Sequence, residues 1–421
     1  MLSRVRIPPS PPNRILRCFC YFEYEKNMKI KATKQQIEEL LSRGVNEVID
    51  IDHLRKRLLS GEKLRIKLGI DPTSPNIHIG RAVVLLKLKD FQDLGHQIVF
   101  IIGDFTGEIG DTSDKKSERP MLSPEEIKKN IKTYIKQVGK ILDIKKTEVY
   151  FNSKWLKKIG YTEIGRQANQ FSLAEFISRE NIKKRLDLGK RVSLRELLYP
   201  LMQGYDSVVV KADLEVGGTD QRFNLLSGRT LQAYYKQQPQ DVLMMNLIYG
   251  KDGRKMSSSW GNTINIFDKP NDMFGKVMSI SDGLIMSYFE HCTRAPIKQI
   301  ERYAKQLKDG TVNPRKIKVE LAKEITAIYW GESNAQRAEK NFNLIFQKKE
   351  VPDKMPEQKL ANKNIIDILI AANLVKSKSE ARRLIKQKGI KVNGTTVNSI
   401  DKIIRKGDIV RKGKRYFLKI I

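Results

Sequence analysis

The stretch Leu64-Arg65-Ile66-Lys67-Leu68-Gly69-Ile70, followed by Asp71-Pro72-Thr73-Ser74-Pro75, decides how the chain is read. A short β-type run ends in a proline-bracketed loop, and an apolar period of helical spacing follows from about Ile79 to Leu94. Gly95 stops that helix, and Gln97 to Gly103 is a nearly continuous apolar run, as expected for a strand buried on both faces of a parallel sheet. Strand, loop, helix and strand make one βαβ unit.

The same grammar returns downstream. Asp213 to Asp220 leads into a helical pattern from Arg222 to Tyr235, and Val242 to Ile248 reads as another buried strand. The fold expected is α/β, with a Rossmann-like parallel sheet over residues 28–265. Between its halves, residues 123–199 read as a mostly helical, charged insertion at the sheet edge. Residues 266–347 form an α-helical domain, 348–361 a polar linker containing Pro352 and Pro356, and 362–421 a further small domain.

The composition narrows the function. There are 79 basic against 48 acidic residues, a formal charge of +31, and such an excess attracts polyanions through counterion release. A nucleic acid partner is therefore expected. No apolar run approaches a membrane span, and a membrane partner is excluded. Cys18, Cys20 and Cys292 are too few and too poorly spaced for a disulfide framework or a zinc site, which points to a reducing, cytoplasmic setting. His53, His78, His96 and His291 form no pair at metal-ligand spacing, so no protein-bound metal is expected. Residues 1–27 carry Pro8, Pro9, Pro11 and Pro12 with no sustained period and no secretory pattern. They read as a non-native or disordered extension, with Met28 the better start.

Two segments carry the chemistry. His78-Ile79-Gly80-Arg81 lies at a helix N-terminus directly after a strand, where unpaired N–H groups and the helix dipole favour phosphate. His78 can donate to a phosphate oxygen, and Gly80 lets a nucleotide base approach the backbone. Further on, Asp252-Gly253-Arg254-Lys255-Met256-Ser257-Ser258-Ser259 is a glycine-led loop offering a cation and hydroxyls, suited to clamp a developing pyrophosphate charge. Together, in this order and separated by half a sheet, the two segments resemble the paired signature of class I aminoacyl-tRNA synthetases. Arg81 stands where the family commonly has a second histidine, and Ser258 where it often has a second lysine. Lys255, with Lys115, Lys116 and Arg119 of a segment similar to the family's mobile phosphate-contacting loop, is expected to compensate.

Tyr199-Pro200-Leu201-Met202-Gln203-Gly204-Tyr205-Asp206 sharpens the resemblance to tyrosyl-tRNA synthetases. Tyr199, Gln203 and Asp206 fall at i, i+4 and i+7, so all three can face one pocket. The resemblance implies that Tyr199, Gln203 and Asp111 hold the substrate ammonium and Asp206 its hydroxyl. Val216-Gly217-Gly218-Thr219-Asp220-Gln221 delivers polar groups to the sheet's carboxyl edge. In the family Gly218 and Asp220 bind the ATP ribose, Gln221 faces the amino acid, and Asp71, Thr73 and Ile248 line the adenylate. Lys67 falls where some bacterial members place a tyrosine on the substrate hydroxyl, and its role is left open.

Residues 362–421 carry 16 basic against four acidic residues. Ser377-Lys378-Ser379-Glu380 reads as a helix cap and Asn393-Gly394 as a hairpin turn. This resembles an S4 RNA-binding domain, small and α+β, with Arg382, Arg383, Lys386 and Lys388 facing phosphates. The resemblance implies a homodimer that activates L-tyrosine with ATP, Mg²⁺ riding on the phosphates, and charges tRNA(Tyr). A tryptophan-specific relative, an inactive tRNA-binding paralogue and a purely structural RNA partner are the rival readings.

Overall fold

The computed structural model describes residues 29–111, 121–250, 252–347, 355–413 and 416–421. The expectations for residues 1–27, Met28, Lys115, Lys116 and Arg119 lie outside these. Packing divides the chain into two units: one runs to Phe267 and takes in Gly283–Lys305, the other comprises Asp268–Asp282 and Gln306–Ile421.

The first unit is organised by a six-stranded sheet. Its strands are β1 (Val45–Ile49), β2 (Arg65–Ile70), β3 (Gln97–Ile102), β4 (Thr147–Phe151), β5 (Leu214–Gly218) and β6 (Asp241–Met245), in the spatial order β1-β6-β5-β2-β3-β4. All neighbours are parallel except β1, which runs antiparallel to β6. The chain leaves β2 toward β3 on one side and later returns to β5 on the other. The carboxyl ends of β2 and β5 therefore flank a switch point, where a crevice opens in such sheets.

Helix α1 (Ile79–Leu94) follows β2 with the predicted bounds, and Gly95 ends it in the left-handed region. Its apolar side, including Ile79, Ala82, Leu85, Leu88 and Phe91, is buried. Helix α2 (Leu194–Val210) starts with a capping box at Ser193 and Glu196, and α3 (Arg222–Tyr234) packs beside it.

Two strands correct the sequence reading. The span 123–199 is not all helical insertion, because Thr147–Phe151 completes the sheet as an edge strand paired with β3. Only one of its five residues is fully buried, so it lacks the apolar run by which the inner strands are recognised. Likewise β1, also half-exposed, extends the sheet on the opposite edge.

The helical domain expected at 266–347 is also not one block. Helix Ile285–Cys292 packs on α1, Tyr288 Oη donates to the carbonyl of Tyr249 at 2.6 Å, and Arg294 Nε meets Asp90 at 2.7 Å. Arg43 donates to the carbonyls of Glu290, Thr293 and Ala295. These ties place residues 283–305 with the sheet.

In the second unit α4 (Pro270–Val277), α5 (Pro314–Trp330) and α6 (Glu332–Gln347) pack together. Its C-terminal part has α7 (Ile365–Ala371), α8 (Lys378–Lys386) and a five-stranded sheet. The strands are β7 (Glu357–Gln358), β8 (Ile390–Val392), β9 (Thr395–Thr396), β10 (Ile409–Lys412) and β11 (Tyr416–Ile420), in the order β9-β8-β10-β11-β7. Ser377 caps α8 as read from sequence, and Asn393 and Gly394 both take positive φ in the β8–β9 turn. Ile365, Leu369, Ile385, Ile390, Val410 and Leu418 are among the core residues of this part. Among the described residues no helix is long and apolar enough to cross a membrane.

Candidate active site

A cleft opens at the carboxyl ends of β2 and β5. Its walls include Asp71, Thr73, His78, Gly80, Arg81, Asp111, Tyr199, Gln203, Gly218, Asp220, Gln221, Ile248, Lys255 and Ser258. Of the fifteen predicted site residues in the described part of this unit, fourteen line the cleft and Asp206 does not.

At the nucleotide end, α1 presents its N-terminus with His78 as the cap residue and no side chain capping its amides. The Ile79 amide donates to the Ile264 carbonyl at 2.8 Å and that of Arg81 to the His78 carbonyl at 2.9 Å, so it is the Gly80 amide and the helix dipole that suit an anion. Arg81 reaches back instead of outward: its guanidinium donates to Thr73 Oγ1 at 3.2 Å and, at 3.4 Å each, to the Asp71 carbonyl and Tyr134 Oη. The residue that replaces a histidine thus braces the first loop while lining the cleft.

The signature loop closes over the same end. Lys255 Nζ lies 2.8 Å from Asp220 Oδ2, and Ser258 Oγ lies 3.5 Å from Ser74 Oγ. The loop is held by Asn262, which the sequence reading missed. Its Oδ1 accepts from the Ser257 amide at 2.9 Å and its Nδ2 donates to Asp252 Oδ1 at 2.8 Å. That hydrogen bond, with Arg254 assisting, holds the Asp252 carboxyl down at about 2. Gly218 makes the approach of Asp220 possible, since a Cβ there would sit 2.5 Å from Asp220 Oδ1.

At the other end, Tyr199 Oη donates to Asp71 Oδ2 at 2.8 Å, and Gln221 Nε2 donates to Asp111 Oδ2 at 2.7 Å. Burial, then the charges of Asp71 and Asp111, pushes the Tyr199 phenol well up, so it stays protonated and donating. Asp71 also accepts from Thr106 Oγ1 at 2.7 Å. Gly103 is the unpredicted partner in this arrangement: a Cβ there would fall 2.1 Å from Asp71 Oδ1 and 2.3 Å from Thr106 Oγ1. Gln203 Nε2 donates to Glu215 Oε1 at 3.1 Å on the cleft wall. Glu215 lies three residues before Gly218 on β5, which at ~3.3 Å per residue sets the two ends of the cleft roughly 10 Å apart.

Asp206 departs from the expectation that it opens into the pocket beside Tyr199 and Gln203. It is 3% exposed, and its oxygens accept from Trp155 Nε1 at 2.7 Å and Asn152 Nδ2 at 3.2 Å. Both donors follow β4, the strand that was not recognised, which is why sequence reasoning missed them. Burial pushes the Asp206 carboxyl up to about 7, against the lowering effects of Lys67, Trp155 and Asn152. The S4-like residues Arg382, Arg383, Lys386 and Lys388 lie in the second unit, exposed on or just after α8.

Comparison with known proteins matches the same regions. Residues 59–347 fit the model of tRNA synthetases class I (W and Y), and residues 347–420 that of the tyrosine–tRNA ligase SYY-like C-terminal domain. A tyrosine–tRNA ligase of Carboxydothermus hydrogenoformans is 47% identical over 410 residues, covering 94% of this chain and 99% of that protein. The chain belongs to the tyrosyl-tRNA synthetase family. A second member, from Dehalococcoides mccartyi strain 195, is 45% identical over 93% of this chain and 100% of its own length.

Solved tyrosyl-tRNA synthetases share the fold at lower identity. The Archaeoglobus fulgidus enzyme complexed with L-tyrosine gives a TM-score of 0.58 at 23% identity, over 72% of this chain and 99% of that one. The truncated mitochondrial enzyme of Coccidioides posadasii gives 0.61 at 22%, over 78% and 98%. Members of this family use ATP as a substrate.

Proposed function

We infer that this chain is a tyrosine–tRNA ligase that joins L-tyrosine to ATP, releasing pyrophosphate, and then transfers the tyrosyl group to the 3′ end of tRNA(Tyr). The observation that carries this reading is the convergence of a nucleotide-type end, with His78, Asp220 and Lys255, and an amino-acid-type end, with Tyr199, Gln203 and Asp111, in one cleft at the strand switch point.

In this reading the tyrosine carboxylate forms a bond to the α-phosphorus of ATP, and the bond to the β-phosphate oxygen breaks. No protein nucleophile takes part. The N-terminus of α1 and His78 receive phosphate oxygens, Gly218 and Asp220 the ribose, and Thr73 and Ile248 flank the adenylate. Lys255 and Ser258 meet the departing pyrophosphate, where positive charge lowers the barrier by stabilising charge that develops in the transition state. Arg81 supports them through the first loop, and Lys115 and Arg119 are proposed to join from the neighbouring segment. Mg²⁺ would enter on the phosphates. Among the described residues no group of three His, Cys, Asp or Glu side chains is placed to hold a metal.

Asp71 and Asp111, with Tyr199, Gln203 and Gln221, form the polar setting for the substrate ammonium. Asp206 would receive the phenol hydroxyl, since each of its oxygens keeps acceptor capacity beyond its bonds to Trp155 and Asn152. A phenylalanine ring would leave that buried carboxylate unmatched, which discriminates strongly without editing. An indole has no use for such an acceptor, which weighs against tryptophan.

The remaining assignments are a cytoplasmic setting, RNA contact through α8, and a homodimer. Leu173, Leu186, Leu188 and Leu194 are 62%, 42%, 70% and 77% exposed, apolar surface of the kind a second copy would cover. Transfer of labelled tyrosine to tRNA(Tyr) by the purified protein tests the reading; charging with another amino acid, or none, would refute it.

A further inference from the structure

Behind the amino-acid end of the cleft lies an ion pair that the reaction as described does not use. The register of the two switch-point strands sets Lys67 of β2 directly beside Glu215 of β5. Their side chains are 0% and 1% exposed, with Nζ 2.9 Å from Oε1. Lys67 Nζ also donates to the Gln203 carbonyl and to Ser207 Oγ, each at 2.8 Å, so its three protons all have acceptors. Glu215 in turn accepts from Gln203 Nε2, Ser207 Oγ and Gln240 Nε2. The pair therefore grips α2 at Gln203 and Ser207, the two residues that bracket the turn carrying Asp206.

Stability is a poor reason for such a pair. Removing two charges from water costs about as much as their attraction returns, and apolar residues of similar volume commonly do as well. Asp206 supplies a better reason. The charged and titratable groups facing it are Lys67 from β2, Glu215 from β5 and Tyr199 from its own helix, while Asn152 and Trp155 are neutral donors from the segment after β4. Lys67 is the cation of this set.

We propose that Lys67 is a specificity-determining positioning residue: its buried ammonium is the counter-charge that opposes protonation of Asp206 and favours the anionic form selective for a phenol, and Glu215 sets how much of that charge Asp206 feels. The proposal rests on the reading of Asp206 as acceptor of the tyrosine hydroxyl. An anionic carboxylate faced with a phenyl ring is an uncompensated buried charge, whereas a protonated one is only an unsatisfied neutral group and costs far less. Selectivity against phenylalanine therefore follows the ionisation of Asp206. Burial raises that carboxyl, Lys67 opposes the rise and Glu215 adds to it.

The test uses the full chain and measures the ratio of kcat/KM for tyrosine- and phenylalanine-dependent pyrophosphate exchange from pH 6 to pH 9. The wild-type ratio rises with pH around a midpoint near the Asp206 value of about 7. Lys67→Met moves the midpoint up by about one pH unit or more, the scale of a neighbouring charge, and raises KM for tyrosine at neutral pH. Glu215→Gln moves it down. A purely structural role would impair both variants alike and would not send the midpoint in opposite directions.

Lys67→Met leaves Glu215 buried without its partner and risks misfolding, so the charge-neutral double variant Lys67→Met/Glu215→Gln is the companion. Lys67 acts on Asp206 more strongly than Glu215 does, and the double variant should move the midpoint up by less than Lys67→Met. Folded variants that leave the midpoint unmoved, or move it in one common direction for both single changes, overturn the proposal. Asp206→Asn separates the two levels of the argument. If it keeps the wild-type tyrosine-to-phenylalanine ratio, the reading of Asp206 itself fails; if it abolishes the ratio while the charge variants change nothing, only the role of Lys67 fails.

Discussion

Lys255 Nζ lies 2.8 Å from Asp220 Oδ2, so the cation assigned to pyrophosphate rests on the carboxylate assigned to the ribose. The two assignments exclude each other at one moment: ribose hydroxyls that engage Asp220 compete with the ammonium and free it to turn toward the phosphates. Lys255→Ala is expected to lower kcat for tyrosine-dependent pyrophosphate exchange by about 10²–10³, the usual cost of one transition-state charge donor, with little change in tyrosine affinity. Wild-type kcat in this variant would remove Lys255 from the mechanism.

Gly103 is a test of the Asp71–Tyr199 contact. Adding a Cβ 2.1 Å from Asp71 Oδ1 forces the carboxylate away from Tyr199. Gly103→Ala should cost roughly 1–3 kcal/mol in a urea melt, as overpacking does, and raise KM for tyrosine in exchange kinetics. Unchanged melting and kinetics would mean that the loop yields freely.

Asp206 gives the protein a pH-dependent weakness. Its folded-state value of about 7 lies above the ordinary 3.8, so the folded state holds the proton more tightly than the unfolded chain. The contribution of this group is fully present below about pH 4 and is lost as pH rises to about 7. The stability of Asp206→Asn minus that of wild type, measured without tyrosine, should therefore climb between these values by up to about 4 kcal/mol, at ~1.4 kcal/mol per unit. A flat difference would contradict the buried, proton-holding carboxyl.

The basic face of α8 should act on RNA alone. Arg382→Ala and Arg383→Ala are each expected to weaken tRNA binding and to reduce the salt dependence of log K by about one ion's worth, since each removes one phosphate contact. Pyrophosphate exchange should stay at the wild-type level. A variant that binds tRNA with wild-type salt dependence would take that arginine out of the interface.

The inner frame of the fold was legible because its residues obey strong periods. Arg65–Ile70, Ile79–Leu94 and Gln97–Ile102 form a run in which apolar spacing, a Gly stop and a proline loop agree. The edge strands Val45–Ile49 and Thr147–Phe151 escaped because half-exposed strands carry mixed residues. Missing β4 also hid Asn152 and Trp155, which only its carboxyl end brings to Asp206. The site residues with motifs were visible, while those that support them from buried strands were not. Lys67 was singled out in the sequence only by its place in the family pattern; Glu215, and the strand register that joins the two, were not.

The most direct test of the account is tyrosine-dependent ATP–pyrophosphate exchange by the purified full chain, run in parallel with each of the other nineteen amino acids. The account predicts rapid exchange with tyrosine, far slower exchange with phenylalanine and none above background with tryptophan. Exchange that is absent with tyrosine, or equally fast with phenylalanine or tryptophan, would contradict it.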